Sequence, residues 1–449
     1  MNKIVKIKKG LDIRLAGMPT AETERFKPPL CALKPSDFIG VTPKMHVTEG
    51  NKVHVGTVLF HDKNHENIVF TSPVSGTVKA ITHGEKRAIT HVIVESDGHD
   101  DSLDFGKAEP SSLTRNKLIT KLLQSGVWPV LRQRPFATVA NPDDMPKHIF
   151  ISMFDTAPLA PDNDYIIENQ LDIFKTGITV LSRLTNGKVF INVRQDSKTT
   201  SALNIAHNVV VTAFAGPHPA GNVGTQINAL SPINKGETVW YCYPQDVITI
   251  GNLFLTGHYD STRTLALTGS EVKKPRYFKT KTGADISSLL EKEVTNTNIR
   301  VISGNVLTGN NITNDNFLCF HDTQVTVIPE GNEYRLFGWL APNRRRFTST
   351  NTMLSSFFKK KTFTLDTNCN GSTRPYIMTG EFEKVFPFDI YPMQLIKACI
   401  IKDIDQMEEL GIYEIDAEDF ALCEVIDPSK TLLQKIIREG LEFLRQENN

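Results

Sequence analysis

The chain has 449 residues, 40% of them hydrophobic and 22% charged, with Lys plus Arg and Asp plus Glu at 50 each. That length allows about three or four domains and that composition is globular, while the even charge removes any general electrostatic reason to expect nucleic acid as a partner. Apolar runs fall short of the roughly 18 residues of a membrane helix, and the N-terminus MNKIVKIKKG lacks the apolar core of a signal peptide. A cytoplasmic location with only peripheral membrane contact is expected. The six cysteines are dispersed without a CxxC pair, which predicts reduced thiols and neither zinc nor an iron–sulfur cluster.

The first elements are two hairpin-like units, Glu49–Phe60 and Ser72–Ile81, in which apolar and polar residues alternate between glycines. EGxxVxxGxVL, a turn, and SPxSGxVxxI resemble the biotinyl/lipoyl carrier domain over residues 40–96. The resemblance implies a flattened barrel whose turn presents a lysine between two methionines. Here the turn reads DKNHENI, with no methionine and with Lys63 close to the preceding strand, so a scaffold without a prosthetic group is expected. Seven of the twelve histidines fall in this region; His61 and His65 lack a cysteine partner and are read as solvated or edge residues rather than metal ligands.

A helix is predicted from Ser111, with Leu118, Ile119, Leu122 and Leu123 on one face and Gly126 at its end. Strands come next at 149–154, 189–193 and 209–214, with helices between them, notably 166–184. This alternation favours a parallel sheet. After Val209–Phe214 comes Gly216-Pro217-His218-Pro219-Ala220-Gly221-Asn222-Val223-Gly224, placed where an open α/β sheet opens its ligand crevice. The loop matches neither GxGxxG nor a Gly-Lys-Ser/Thr phosphate loop. It reads as a Rossmann-like site without dinucleotide chemistry, or as a plain surface connection.

Farther on, Arg263–Pro275, Arg276–Thr280 and a helix capped by Asp285 form a strand, turn, strand and helix, with 301–306 and 324–328 completing a sheet. Phe337–Pro342 precedes Arg344–Arg346, and Phe357 and Phe358 precede three lysines; such pairs of aromatic and cationic residues suit anionic lipid, a neighbouring protein or a solvated face. Pro392 suits a first helical turn, and Leu395, Ile396, Cys399, Ile400, Ile404, Met407 and Leu410 make one stripe ending at Gly411. Asp416 caps a second helix and Leu432–Leu444 gives a third.

SGVWPVLRQRPF, FDTAPLAPDND, GPHPAGNVGT and FGWLAPNRRRF occur in that order. Together they resemble the A-subunit family of the sodium-pumping NADH:quinone reductases of bacterial membranes, over essentially the whole chain. The wider kinship is with the cluster-bearing C subunit of the ferredoxin:NAD reductase and the flavin subunit of complex I. The resemblance implies a multidomain α/β plus β protein: a biotinyl/lipoyl-like barrel-sandwich (1–103), a Rossmann-like parallel sheet (104–257), a β-grasp module (258–335), and a connecting segment with a C-terminal helical bundle (336–449). In those relatives a glycine-rich loop cradles a flavin phosphate; here Gly126–Arg132 carries Trp128 and Pro129 instead. Their bundle holds cluster cysteines; here only Cys423 remains, with Asp427 before Pro428.

The same resemblance implies a peripheral subunit on the cytoplasmic face of the inner membrane, with no redox cofactor of its own. It would assist ubiquinone or menaquinone binding and assembly on the other, membrane-embedded subunits. Trp128, Phe136, Phe214 and His218 are the candidate quinone-binding residues, unless each is an ordinary core residue. No catalytic or metal-binding residue is assigned. The rivals are a purely structural adaptor and a stand-alone flavin or NAD dehydrogenase.

Overall fold

The alternating residues of the N-terminal region fold into two small sheets around one apolar core. In the computed structural model, which describes residues 4–198, 203, 206–331, 347, 362–369 and 371–447, the first sheet is ordered Leu30–Leu33, Ile89–Ser96, Gly76–His83 and Lys52–Val53. The second is ordered Pro43–Met45, Val58–Asp62 and Val69–Thr71. Phe60 and Phe70 stack at 4.7 Å between them. Lys63 directly follows the last residue of its strand, and its backbone amide is tied to Thr42 O at 2.8 Å. One expectation fails here: His61 is only 6% exposed, and its Nδ1 meets His46 Nε2 at 2.5 Å. It is buried because both faces of Val58–Asp62 are covered, Phe60 and Asp62 being buried as well. His54, His65, His83 and His99 are exposed. Among the described residues no cluster of three or more His, Cys, Asp or Glu is arranged for a metal.

The middle of the chain builds a seven-stranded sheet. Its order is Ile4–Lys6, Val209–Ala215, Val189–Arg194, Ile149–Ser152, Val239–Cys242, Arg132–Arg134 and Thr138–Val139. The first five strands are mutually parallel and the last two antiparallel. Runs such as Ile149-Phe150-Ile151 are buried on both faces, as a doubly covered parallel sheet requires. Phe174, Ile178, Val247 and Ile250 of the helices Leu171–Ser182 and Pro244–Thr256 cover one face. Val223 and Ile227 of Val223–Leu230 cover the other, against Phe150 and Phe190. Val209–Ala215 is less enclosed than its sequence suggests: Val210 and Val211 are only half-buried.

A six-stranded sheet comes next, ordered Asn310–Asn311, Ile299–Ser303, Gln324–Pro329, Thr262–Thr268, Arg276–Lys281 and Thr20–Arg25. The helix Ser287–Glu293 starts two residues after Asp285, whose Oδ1 accepts the Ser287 amide at 2.9 Å. The first 25 residues thus lend one strand to each large sheet. Between those strands, Ile13 and Leu15 enter the C-terminal core.

The predicted single C-terminal stripe is two helices, Pro392–Ile401 and Ile404–Glu409. Lys402 turns left-handed (φ 57), and Asp403 caps the second helix by accepting the Gln406 amide. The break leaves Ile400 and Ile401 exposed. Leu433–Glu447 closes the core with Leu433, Ile437, Leu441 and Leu444, each burial contributing about 1.5–3 kcal/mol. The cation-rich stretches 337–346 and 357–361 lie outside the described residues.

Candidate functional site

In an open α/β sheet, ligands bind beyond the carboxyl ends of the strands where the order reverses. Here that point lies between Ile149–Ser152 and Val239–Cys242, since the chain runs outward through Val189–Arg194 and Val209–Ala215 before returning. The crevice is filled by the chain itself. Ser152 Oγ donates to Gly221 O at 2.8 Å and accepts from Gln226 Nε2 at 2.8 Å, while Asn192 Nδ2 donates to Gln226 Oε1 at 2.9 Å.

The loop after Val209–Ala215 is also closed. The Leu11 amide donates to His218 O at 2.8 Å, and the His218 amide to Asp12 Oδ1 at 2.9 Å. A Cβ on Gly221 would lie 2.6 Å from Thr156 N. That glycine allows one loop to lie against another rather than against a phosphate. Asp419 lies close against the start of the helix Val223–Leu230: a Cβ on Gly224, in its first turn, would lie 2.6 Å from its Oδ1.

Asp419 belongs to a largely buried ionic cluster where the C-terminal helices meet the sheet. Arg134 is 0% exposed. Its Nη1 donates to Asp419 Oδ2 at 3.0 Å and its Nη2 to Glu418 Oε1 at 2.5 Å, with Asp416 Oδ2 at 3.9 Å. Arg438 adds a second cation, bonding Asp416 and donating to Phe136 O at 2.9 Å. Desolvation raises the Glu418 carboxyl, with Arg134 opposing it and Asp419 and Asp416 adding to it. Next to this cluster the Arg132 guanidinium lies over the rings of Tyr241 (4.8 Å) and Tyr243 (5.2 Å). These ion pairs fasten the C-terminal helices to the sheet.

The four residues singled out for a quinone do not converge on one slot. Trp128 is 0% exposed in the core shared by the N-terminal sheets and the seven-stranded sheet. It stands edge-on to Trp240 at 5.4 Å, and its Nε1 donates to Ala140 O at 2.7 Å. Phe136 packs instead with the C-terminal core, half-buried, 6.2 Å from Tyr413. Phe214 and His218 sit near the carboxyl end of one strand, Phe214 at 0% and His218 at 4% exposure. Burial pushes the His218 imidazole down to about 4, and its Nδ1 is 3.1 Å from Thr156 Oγ1. Sequence reasoning missed Arg134, Glu418 and Asp419. Asp416-Ala417-Glu418-Asp419 is legible as a capping box, but no spacing links it to Arg134, 285 positions from Asp419.

A second concave region lies apart from this edge. It is a cleft of about 530 Å³ where the six-stranded sheet, the helix Pro244–Thr256 and the N-terminal sheets meet.

Three family models match in succession. They are the NqrA N-terminal barrel-sandwich hybrid domain over residues 5–97, the NqrA second alpha/beta domain over 113–259, and the NQRA C-terminal domain over 264–314. Two relatives, from Neisseria meningitidis serogroup B and Vibrio atlanticus, are named as the A subunit of the Na(+)-translocating NADH-quinone reductase; each is 39% identical over 99% of this chain and 100% of its own length. A solved NAD+-reducing NiFe-hydrogenase aligns over 75% of this chain and 64% of its own at 12% identity and a TM-score of 0.39, too loose a likeness to carry an argument. The two full-length relatives place the chain in a family: it belongs to the A subunits of the Na+-translocating NADH-quinone reductase.

Proposed function

We propose that this chain serves the reductase as a peripheral subunit, without a redox cofactor of its own, that helps bind ubiquinone or menaquinone and docks on the membrane-embedded subunits at the cytoplasmic face. The observation that carries this reading is the closure of the switch-point crevice by the chain's own side chains. Where a nucleotide or flavin phosphate would need free backbone amides, Asp419 lies against Gly224. Phe136, in the hairpin tip that follows Arg134, is half-buried and meets Tyr413 edge-on. A planar, uncharged quinone head needs such an apolar aromatic surface and one donor rather than a phosphate nest. His218, kept neutral by burial, is the proposed donor, with Phe214 behind it on the same strand; Trp128, packed in another core, would act on quinone binding only by supporting the sheet. Among the described residues no helix is long and apolar enough to cross a membrane, in keeping with a peripheral position.

On this reading the seven-stranded sheet is Rossmann-like, the six-stranded sheet a β-grasp and the C-terminal helices a bundle. The units divide at 1–103, 104–257, 258–335 and 336–449. Full packing of Trp128 and Phe214 favours the competing reading, a structural adaptor without a ligand.

Tryptophan fluorescence of the purified chain, titrated with a short-chain quinone and with flavin mononucleotide and NADH as controls, separates the two. Saturable quenching by quinone alone that weakens several-fold in Phe136→Ala is expected. The same affinity in a folded Phe136→Ala variant removes this slot, and no quenching by any of the three leaves the adaptor.

A further inference from the structure

Side chains two apart on a strand share a face, and directly paired residues stand side by side. In the parallel pairing of Thr20–Arg25 with Arg276–Lys281, Arg25 is beside Lys279. In the antiparallel pairing with Thr262–Thr268, Lys279 is beside Thr264 and Lys281 beside Thr262. Lys27 follows Arg25 by two positions. All six line the cleft of about 530 Å³. Ile248, Thr249 and Asn252 of the helix Pro244–Thr256 line it as well, with Pro28 and Val74.

Like charges placed side by side on a sheet repel, so Arg25 and Lys279 stand together because both are exposed to water. Among the described residues Lys281 Nζ has one ion-pair partner, Asp100 Oδ1 at 3.4 Å. Arg25, Lys27 and Lys279 have no ion pair or side-chain hydrogen bond among the described residues. The cleft's other carboxylates, Asp97 and Asp260, bond neutral donors and form no ion pair among the described residues. Asp97 accepts from Ser75 Oγ (2.6 Å) and the His99 amide (3.0 Å), and Asp260 from the Thr262 amide (2.9 Å). Gln245, which also lines the cleft, joins the helix to the sheet by bonding both the Thr264 amide and its carbonyl. The cleft is therefore a built feature of the junction.

We infer that this cleft binds a phosphoryl-bearing anion of about nucleotide size. Arg25, Lys27 and Lys279 hold the charged end, and Ile248, Pro28 and Val74 face the less polar body. Its volume lies within the roughly 300–1,000 Å³ of small-molecule sites. Three cations lining one cleft call for several anionic oxygens, which a phosphate or diphosphate supplies and a single carboxylate does not. The inference is independent of quinone binding, which was assigned to a different edge of the molecule.

Isothermal titration of the full chain with inorganic pyrophosphate and with ADP tests it, with adenosine as the uncharged control. One saturable site is expected for both anions and none for adenosine, with affinity falling as salt rises. The double variant Arg25→Gln/Lys279→Gln should weaken binding about tenfold or more, and Lys27→Gln should weaken it less. Both variants alter exposed side chains, and their urea midpoints verify folding. Sedimentation with phosphatidylglycerol vesicles identifies the source. Vesicle binding that pyrophosphate competes away assigns a lipid headgroup, and anion binding without sedimentation assigns a soluble ligand. No heat with either anion, undiminished binding in the folded double variant, or displacement of pyrophosphate by a short-chain quinone overturns the inference.

Discussion

Cations gather at two places in this chain under opposite conditions. Where the C-terminal helices meet the seven-stranded sheet, Arg134 is buried and Arg438 half-buried, and they meet Asp416, Glu418 and Asp419. In the cleft, Arg25, Lys27 and Lys279 are exposed and share one surface without carboxylate partners among the described residues. An enclosed charge is tolerable only when paired and hydrogen-bonded, whereas an exposed one keeps its water. Pairing therefore marks where the molecule is held together, and unpaired convergence marks where it remains available to something else.

The sharpest way to break this contrast is to remove the central cation. Arg134→Ala strands buried carboxylates and is expected to cost about 3–5 kcal/mol in urea unfolding; a loss under about 1 kcal/mol would mean that the cluster does not fasten the C-terminal helices. Next comes acid. With its imidazole held at about 4 in the folded state against 6.5 when unfolded, His218 takes up a proton first in the unfolded chain. Stability is then lost as pH falls from 6.5 towards 4, by at most about 3 kcal/mol. His218→Gln should remove that part of the pH dependence, which unfolding curves at pH 7.5, 6 and 5 would reveal as a shrinking difference between variant and parent. A smaller effect is expected from Gly224→Ala, which drives a methyl into the Asp419 carboxylate. It should destabilise by about 1–3 kcal/mol despite the better helix propensity of alanine, and a gain in stability would show that Asp419 yields freely. Smallest is Lys279→Gln. Relief of repulsion from Arg25 should leave stability unchanged or raise it by about 0.2–1 kcal/mol at low salt, with the difference fading at high salt. A clear loss would place Lys279 with the structural cations.

Parts of this were legible in the sequence because local patterns carry them. The strands at 149, 189 and 209 arise from β-branched and aromatic runs, and the helix Arg115–Gln124 from Leu118, Ile119, Leu122 and Leu123. Val239–Cys242 and Ile4–Lys6 were not anticipated, since three or four residues are too few to show a period. The four candidate residues lie apart for a different reason. Trp128 and Phe136 are eight positions apart, yet the turn Trp128–Val130 buries the first in one core while the strand Arg132–Arg134 carries the chain on to another. The ionic cluster lay beyond reach because acids within a capping box explain themselves locally. The cleft's cation array appears only once the strand register is known.

The thread that the first 25 residues run through both large sheets sets a timing problem during synthesis. Ile4–Lys6 leaves the ribosome early, but its partner Val209–Ala215 is made some 200 residues later, on the order of ten seconds or more at typical elongation rates. For that interval it is a strand without a sheet, and Val209–Ala215 in turn has a bare edge until the two meet. The lysines at 3, 6, 8 and 9 are the kind of residue that keeps such a segment from joining the wrong sheet. Charge along this stretch therefore protects a strand while it waits for its place.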